Sequence, residues 1–334
     1  MSLLYVIEDG AQIGIDGGVI KIIRKDKSIT KVPKETVEAI NIYGNSQLST
    51  QCIQFCLKRG ISVTFFSKTG SYFGRLVSTG HINVKRQKKQ VFLSEEERFS
   101  IGLSKKIIDA KINNQIVLAK RYLRNSKLDE KEAIFQMQNA KYKLSVANSI
   151  EQIMGYEGIA SKYYFQILSD IVDDEFKFHG RNRRPPKDPF NSMLSFGYMI
   201  LLYELYGEIE NRGLNPYVGF LHQDRENHPT LASDMMEEWR AIIVDAVVMS
   251  LTQGHEISSH DFYFDEETGG CILDKDGMKI FLNKLENKFH SETKYVQGIE
   301  GRMSFRRAIW HQIGFLVKAI ENEDVDLYQP IKIR

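Results

Sequence analysis

Short apolar or alternating runs dominate the first 80 residues, and they predict β-strands. The runs AQIGI and VIKII are separated by residues 16–18, Asp-Gly-Gly, which predicts a tight hairpin. The segment QCIQFCLKRG has helical spacing and predicts one short helix that ends at Gly60. The runs ISVTFF and SYFGRLV then return to strand composition around a turn at residues 68–70. The start of the chain is therefore expected to be β-rich.

The pattern changes to a helical one near residue 91. Residues 103–154 form a 52-residue stretch with neither glycine nor proline, and their apolar positions recur every three or four residues, as at Ile108 and Ile112. The sequence therefore predicts an α+β protein in which a β-rich N-terminal domain precedes a larger all-α domain. We expect these domains at residues 1–80 and 91–334, with a basic linker at residues 81–90 between them.

Composition places the chain among water-soluble globular proteins. Of its 334 residues, 42% are hydrophobic and 26% are charged, and no apolar run approaches the ~20 residues of a membrane span. The first residues lack the basic start of a secretory signal, and three cysteines fit a reducing compartment. Cys52 and Cys56 lie four apart on the short helix, where buried apolar packing explains them better than a metal site. We expect a cytoplasmic protein that does not contact a membrane.

The net charge of +2 averages two unlike regions. Residues 1–90 hold 14 Lys/Arg and 6 Asp/Glu, a balance of +8, which leaves −6 for the rest. This asymmetry is typical of a protein with a polyanionic partner, although a solvated basic face explains it equally well. Four cations lie within the predicted linker, which is either an exposed connection or a phosphate-binding strip: Lys85, Arg86, Lys88 and Lys89.

Glu157 is the first candidate for chemistry. It lies in the segment GYEGIAS before an apolar run, so we expect a helix that starts near Gly155 and carries Glu157 in its first turn. A carboxylate at that position is favoured by the helix dipole, so a structural role accounts for it as well as a functional one does.

His222 is the second candidate, at the end of the apolar run NPYVGFLH. A single histidine at such an edge either packs in the core or presents its imidazole to a cleft. A polar loop follows, and then Thr230 or Ser233 is expected to cap a helix that continues through residue 251.

Several acids follow on that predicted helix. Asp234, Glu237 or Glu238, and Asp245 recur at steps of three or four, and such a stripe is usually a solvated face. Here, however, the acids follow soon after His222. One imidazole with two or three carboxylates is a ligand set that suits Mn²⁺ or Mg²⁺, whereas zinc would call for more His or Cys.

A basic, proline-rich segment lies between these candidates. GRNRRPPKDPFN carries Arg181, Arg183 and Arg184 on a stiff loop, which suits phosphate contact. The alternative is an exposed loop between helices. Asp188 or Asn191 is expected to cap the helix that follows.

Together these segments resemble the CRISPR-associated integrase family, the endonuclease/integrase subunit of spacer acquisition. The resemblance rests on four motifs in order: EGIAS from Glu157, RRPPKDPFNSMLSFGY at 183–198, GFLH at 219–222 and LASDMMEEWR at 231–240. It covers nearly the whole chain. The sequence departs from the family pattern modestly at Ser233 and at residues 238–239, which removes no ligand.

The resemblance implies a metal centre for DNA chemistry. Glu157, His222 and Glu237 are implied to bind Mn²⁺ or Mg²⁺ and to act catalytically, with Asp234 as a neighbouring or alternate ligand. It leaves open which of Asp234, Glu237 and Glu238 binds the metal directly, and whether His222 is a ligand or a proton acceptor. The implied reaction is attack by the 3′-hydroxyl of a captured double-stranded DNA fragment on a phosphodiester of the CRISPR repeat, whereas water as the nucleophile gives cleavage.

The resemblance also implies partners. A homodimer would form partly through the N-terminal domains, and a small dimeric adaptation protein would bridge two integrase dimers. The basic residues of the linker and of the proline-rich loop would hold the DNA backbone without reading its sequence. Two alternatives remain open: a repair-type nuclease on branched DNA, and a catalytically silent DNA-binding scaffold, which has no need of the complete Glu, His and acid set.

Overall fold

Residues Met1–Ile82 form one unit, and its described residues include two four-stranded sheets, one α-helix and two short 3-10 helices. The elements in chain order are β1 (Ser2–Val6), β2 (Gln12–Asp16), β3 (Val19–Ile23), β4 (Ile29–Pro33), β5 (Val37–Tyr43), β6 (Gln47–Leu48), α1 (Thr50–Arg59), β7 (Ser62–Phe66) and β8 (Tyr72–Leu76). One sheet has the order β1-β5-β7-β8, with its first three strands parallel, and the other has the order β4-β3-β2-β6. The prediction of a β-rich N-terminal region is confirmed.

Local sequence explains the turns of this unit. Gly17, with φ +59°, and Gly18 form the two-residue loop of the predicted β2–β3 hairpin. Helix α1 begins after Ser49, whose Oγ accepts from the Cys52 N–H, and ends at left-handed Gly60. Cys52 and Cys56 are fully buried in the apolar core of this unit, so their prediction as small hydrophobic residues is confirmed.

Residues Asn83–Arg334 form the second, larger and mainly helical unit. Its helices are α2 (Val84–Glu95), α3 (Glu97–Leu123), α4 (Lys131–Leu144), α5 (Ile150–Ile171), α6 (Pro189–Asn211), α7 (Thr230–Met236), α8 (Ala246–Gln253), α9 (Lys275–His290) and α10 (Phe305–Asn322). Two small antiparallel ribbons pair β9 (Phe262–Phe264) with β10 (Cys271–Leu273), and β11 (Glu292–Thr293) with β12 (Met303–Ser304). This computed structural model describes residues 2–124, 126, 128–293 and 301–334. Each helix in these ranges is too short or too polar to span a lipid bilayer.

Two predictions for the start of the helical unit need correction. The basic linker expected at 81–90 is mostly helix, because Asn83 caps α2 through its side chain and because Gln90 and Leu93 on that helix are buried. The glycine-free stretch 103–154 is helical but interrupted, since α3 ends at Leu123 and α4 begins only at Lys131.

The chain after residue 229 departs from a regular helix. Neither predicted cap holds, because α7 starts after Pro229 with no side-chain cap, while Ser233 Oγ pairs instead with His228 Nε2 at 3.0 Å. A turn follows α7, and a π-helix over Arg240–Asp245 then leads into α8. The segment runs through the interior, so its acids are buried rather than solvated.

Candidate metal centre

Glu157 lies two turns into α5, which begins at Ile150 after the capping Ser149. The prediction of a first-turn position is therefore wrong, and the helix dipole does not account for this carboxylate. The side chain points toward α3, where it forms an ion pair with Lys111, and Ser161 Oγ donates to Glu157 Oε1 at 2.6 Å. Glu157 is thus held by an ammonium and a hydroxyl in a mostly buried position.

His222 is oriented by Asp234, a fully buried residue of α7. Asp234 Oδ2 accepts from the N–H groups of Phe220 and Leu221, at 2.7 and 3.0 Å, and Oδ1 accepts from the His222 N–H at 3.1 Å. His222 Nδ1 also lies 2.7 Å from Asp234 Oδ1. Because an ionised carboxylate only accepts, Nδ1 carries the proton, and Nε2 remains as the acceptor nitrogen on the side of Glu237.

Glu237 faces the same space, and its position singles it out among the neighbouring acids. Glu237 Oε1 lies 3.9 Å from His222 Nε2, while Oε2 lies 2.6 Å from Lys111 Nζ and 3.1 Å from Arg240 Nε. Glu237 Oε2 is thus a buried carboxylate oxygen whose contacts are two cations. Lys111 therefore bridges Glu157 and Glu237.

Glu238 points away from this cluster and ties down the C-terminal segment. Its Oε1 accepts from the Tyr328 hydroxyl and its Oε2 from the Ile331 N–H, both at 2.6 Å. Burial raises the pKa of Glu238 to about 8 despite these hydrogen bonds. The sequence did not decide which of these acids would bind a metal. The Asp234 carboxylate accepts hydrogen bonds from the His222 loop and Glu238 accepts them from the C-terminal segment, which leaves Glu237 for a cation.

The electrostatics favour ionised carboxylates in the cluster. Burial by itself would raise the pKa of Glu157, but Lys111 outweighs it and the pKa is lowered. The pKa of Glu237 is lowered in the same way, since Arg240 and Lys111 together outweigh burial. The pKa of the His222 imidazole is raised, because the hydrogen bond and the charge of Asp234 outweigh burial.

The residues present suit a divalent cation, although the side chains are not arranged around one. Among the described residues, no group of three or more His, Cys, Asp or Glu side chains is placed to hold a metal ion as it stands. The Lys111 ammonium lies between the carboxylates instead. Two observations still support the fit: the buried carboxylates of Glu157 and Glu237 share one cation, and the proton on Nδ1 of His222 leaves Nε2 to ligate. Oxygen ligands with one imidazole match Mn²⁺ or Mg²⁺.

The sequence did not point to Lys111, or to the contacts of Arg240 with Tyr198. Lys111 follows Ile107 and Ile108 by four and three residues, so a lysine on the apolar face of α3 was the available signal. Arg240 stacks over the Tyr198 ring at 4.5 Å. The Tyr198 hydroxyl donates to the buried Asp245, so a chain of contacts runs from Glu237 into the core.

Asp245 should make the stability of this unit depend on pH. Burial raises its pKa to about 6, although hydrogen bonds from Tyr198 and Tyr164 oppose the rise. Between the unfolded value near 3.8 and this value, the folded protein binds the extra proton, so the free energy of unfolding falls as pH rises. Asp245→Asn removes that slope. Urea unfolding at pH 4.5 and 7.5 measures this. Between these two pH values, the free energy of unfolding of the variant should rise by about 2 kcal/mol relative to that of the parent. If both proteins show the same pH dependence of this free energy, the prediction is wrong.

Gly219 allows the His222 loop to approach α7. A Cβ at this position would lie 2.4 Å from Thr230 Cγ2 and 2.8 Å from Asp234 Oδ2, and Thr230 is fully buried. We expect Gly219→Ala to lower the free energy of unfolding by about 2 kcal/mol. The matched control is Gly155→Ala on α5, where a Cβ meets nothing within 4 Å and should stabilise the helix slightly. Urea denaturation measures both, and equal effects would contradict the crowding.

The predicted DNA-contacting residues fall into two groups. Arg86 and Lys89 form ion pairs with Glu321 and Glu323 of the α10 end, and Arg181 is held inside its loop. The Arg181 guanidinium donates to Asn182, Asn191 and Ser195 and stacks over Tyr198. The remaining four side chains are exposed: Lys85, Lys88, Arg183 and Arg184. Of the two predicted caps of the following helix, α6, Asp188 is the one observed, and its side chain accepts from the Asn191 N–H.

Comparison with known proteins defines the class to which this fold and site belong. A CAS1 protein from Thermotoga maritima superposes with a TM-score of 0.82 at 23% identity, over 96% of this chain and 97% of the other, and so has the same fold. A chain in a Cas6-RT-Cas1–Cas2 complex superposes with a TM-score of 0.83 at 25% identity. That match covers 98% of this chain but 36% of the longer one.

Comparison of sequences finds relatives of higher identity than these two structures. The family described as CRISPR associated protein Cas1 matches residues 4–287. The CRISPR-associated endonuclease Cas1 of Mycobacterium tuberculosis H37Rv is 33% identical over 321 residues, which are 96% of this chain and 94% of the relative. The chain therefore belongs to the Cas1 family.

Proposed function

We propose that the chain is a metal-dependent DNA endonuclease and integrase of CRISPR adaptation. The observation that carries the proposal is the meeting of two ionised carboxylates, Glu157 and Glu237, at one buried cation, with His222 on the side of Glu237. A set of this kind fits phosphodiester chemistry, because developing negative charge needs a concentrated positive charge beside it. The family and its named endonuclease relatives support a nuclease or integrase.

Glu157, His222 and Glu237 would hold Mn²⁺ or Mg²⁺. When bound, the metal would supply Lewis-acid stabilisation of a phosphate oxygen and lower the pKa of an attacking hydroxyl. The chain orients its own ligands: Asp234 fixes the His222 ring, Ser161 donates to Glu157, and Arg240 holds Glu237 from behind. Asp234 acts through His222 in this arrangement rather than as a direct ligand.

The proposed reaction is a transesterification on DNA. The 3′-hydroxyl of a captured fragment attacks a phosphodiester of the CRISPR repeat, a new P–O bond forms, and the bond to the 3′-oxygen of the cut strand breaks. In the net balance, the attacking hydroxyl loses its proton and the departing oxygen gains one as a 3′-hydroxyl. Water in place of the hydroxyl gives cleavage. The exposed cations Lys85, Lys88, Lys89, Arg183 and Arg184 would contact the DNA backbone, while Arg86 and Arg181 hold the fold of their own segments.

Two protein partners belong to the proposal. One is a second copy of the chain in a homodimer. The other is a small Cas2-type adaptation protein, supported by the structural neighbour whose complex joins Cas1 to Cas2.

A strand-transfer assay with Mn²⁺ tests the function. Parent protein should join a 3′-hydroxyl fragment to repeat DNA, while Glu157→Ala and His222→Ala should not. If both variants join DNA as fast as the parent, the site assignment is wrong. Cleavage of branched DNA without joining, even with the adaptation partner supplied, would favour a repair-type nuclease. DNA binding with neither reaction would favour a silent scaffold.

A further inference from the structure

Lys111 occupies the position between the two carboxylates of the candidate metal centre. The residue is 7% exposed, and its ammonium contacts Glu157 Oε1 and Glu237 Oε2. Lysine is seldom buried this deeply unless it is paired, so the arrangement is built around these two contacts. The role inferred for Lys111 below rests on the proposed function.

The two carboxylates already have two cations beside them. Lys111 and Arg240 supply two positive charges against the two negative charges of Glu157 and Glu237, and Asp234 beside His222 adds one more negative charge. A divalent cation added with both resident cations in place would leave an excess of one positive charge in a buried site, which is unfavourable. Departure of one resident cation restores the balance when the metal binds.

Arg240 is the less mobile of the two cations. Its planar guanidinium stacks over the Tyr198 ring at 4.5 Å and reaches Glu237 from only three residues away on the same segment. Lys111 has a compact ammonium on a flexible four-carbon stem, and both of its carboxylate contacts are to other elements. The side chain that yields is therefore Lys111.

We infer that Lys111 is the resident counter-cation of the Glu157–Glu237 pair and competes with the divalent metal for these carboxylates. Without metal, the Lys111 ammonium offsets the repulsion between the two carboxylates and so stabilises the fold around them. Metal binding displaces its ammonium. Lys111 thus sets the affinity of the centre for metal without being a ligand.

Mn²⁺ affinity measured by electron paramagnetic resonance tests this inference directly. Lys111→Met should bind Mn²⁺ at least about tenfold more tightly than the parent, because one repelling charge is gone. Its metal-free form should melt below the parent and gain more in melting temperature on adding Mn²⁺. Lys141→Met is the matched control, since Lys141 is a partly buried helical lysine paired with Asp109, and this variant should keep the parent's affinity.

The outcomes separate this inference from the proposed function. If the parent binds Mn²⁺ and Lys111→Met binds equally or more weakly, Lys111 does not compete and only this inference falls. If neither protein binds Mn²⁺, the metal centre itself is wrong.

A second experiment covers the case in which Lys111→Met fails to fold. Lysines of the parent protein are acylated, and the extent of labelling is read by mass spectrometry. Lys111 should be protected without metal and more reactive with saturating Mn²⁺, while Lys141 stays constant; unchanged Lys111 labelling overturns the inference.

Discussion

Replacing Glu237 by glutamine should reduce Mn²⁺-dependent DNA joining and cleavage by more than about a hundredfold. Even the loss of a group that only supports a metal ligand costs about 10- to 100-fold in many metal sites, so the loss of Glu237, a proposed ligand, should cost more. The glutamine keeps the size of the side chain but removes its charge, and Lys111 and Arg240 are then left with too few carboxylates.

The adjacent residue provides a matched control. Glu238 is also a buried glutamate, but it accepts from Tyr328 and Ile331, away from the cluster. With its pKa raised to about 8, it is mostly protonated at neutral pH. Glutamine mimics that form, because its oxygen can accept from the Ile331 N–H while its NH₂ group meets the Tyr328 hydroxyl, which can accept as well as donate. Glu238→Gln should leave joining and cleavage within about twofold of the parent. Both variants need a melting curve, so that loss of folding is distinguished from loss of chemistry.

Two outcomes of this comparison would contradict the assignment of Glu237 and Glu238. If Glu238→Gln loses activity while Glu237→Gln retains it, the two acids have been assigned in the wrong order. If Glu237→Gln retains both reactions and its Mn²⁺ affinity, this residue is not a ligand.

Short-range sequence signals predicted the parts of the fold that depend on neighbouring residues. The hairpin at residues 17–18 follows from glycine's freedom at positive φ, and the end of α1 at Gly60 follows from the same property. The cap of α6 at Asp188 depends only on a side chain that reaches the N–H of Asn191. Each of these features is decided within a few residues of chain.

The arrangement of the acids could not be predicted in this way. A regular helix from Asp234 to Asp245 would place its acids on one face, but the turn after Met236 and the π-helix change the register. Asp234 then accepts hydrogen bonds from the His222 loop, Glu238 accepts them from the C-terminal segment, and Asp245 accepts them from two tyrosines. These partners lie far away in sequence, so only the tertiary structure separates Glu237 from its neighbours. Lys111 likewise reveals its role only beside α5 and the segment after α7.

Replacing Asp234 by asparagine should damage both stability and chemistry. The parent carboxylate accepts from three consecutive N–H groups, beginning at Phe220, and contacts Nδ1 of His222. An asparagine has one carbonyl oxygen and turns an NH₂ group toward donors, which leaves buried groups unsatisfied. We expect the free energy of unfolding to fall by about 3 kcal/mol and DNA joining to fall by about 10- to 100-fold.

The state of the His222 ring distinguishes a positioning role from mere destabilisation. In the metal-free parent, ¹⁵N NMR should find the neutral ring protonated at Nδ1, and Asp234→Asn should produce a mixture of tautomers, because the acceptor that fixes the proton is gone. Ser233→Ala is the control: Ser233 lies on the same helix as Asp234, and this change removes its contact with His228 but should leave the His222 tautomer unchanged. An unchanged tautomer and rate in Asp234→Asn would show that His222 is oriented by something else. Mn²⁺ binding abolished as completely as in Glu237→Gln would instead make Asp234 a direct ligand, because a residue that acts only through His222 leaves the two glutamates able to bind.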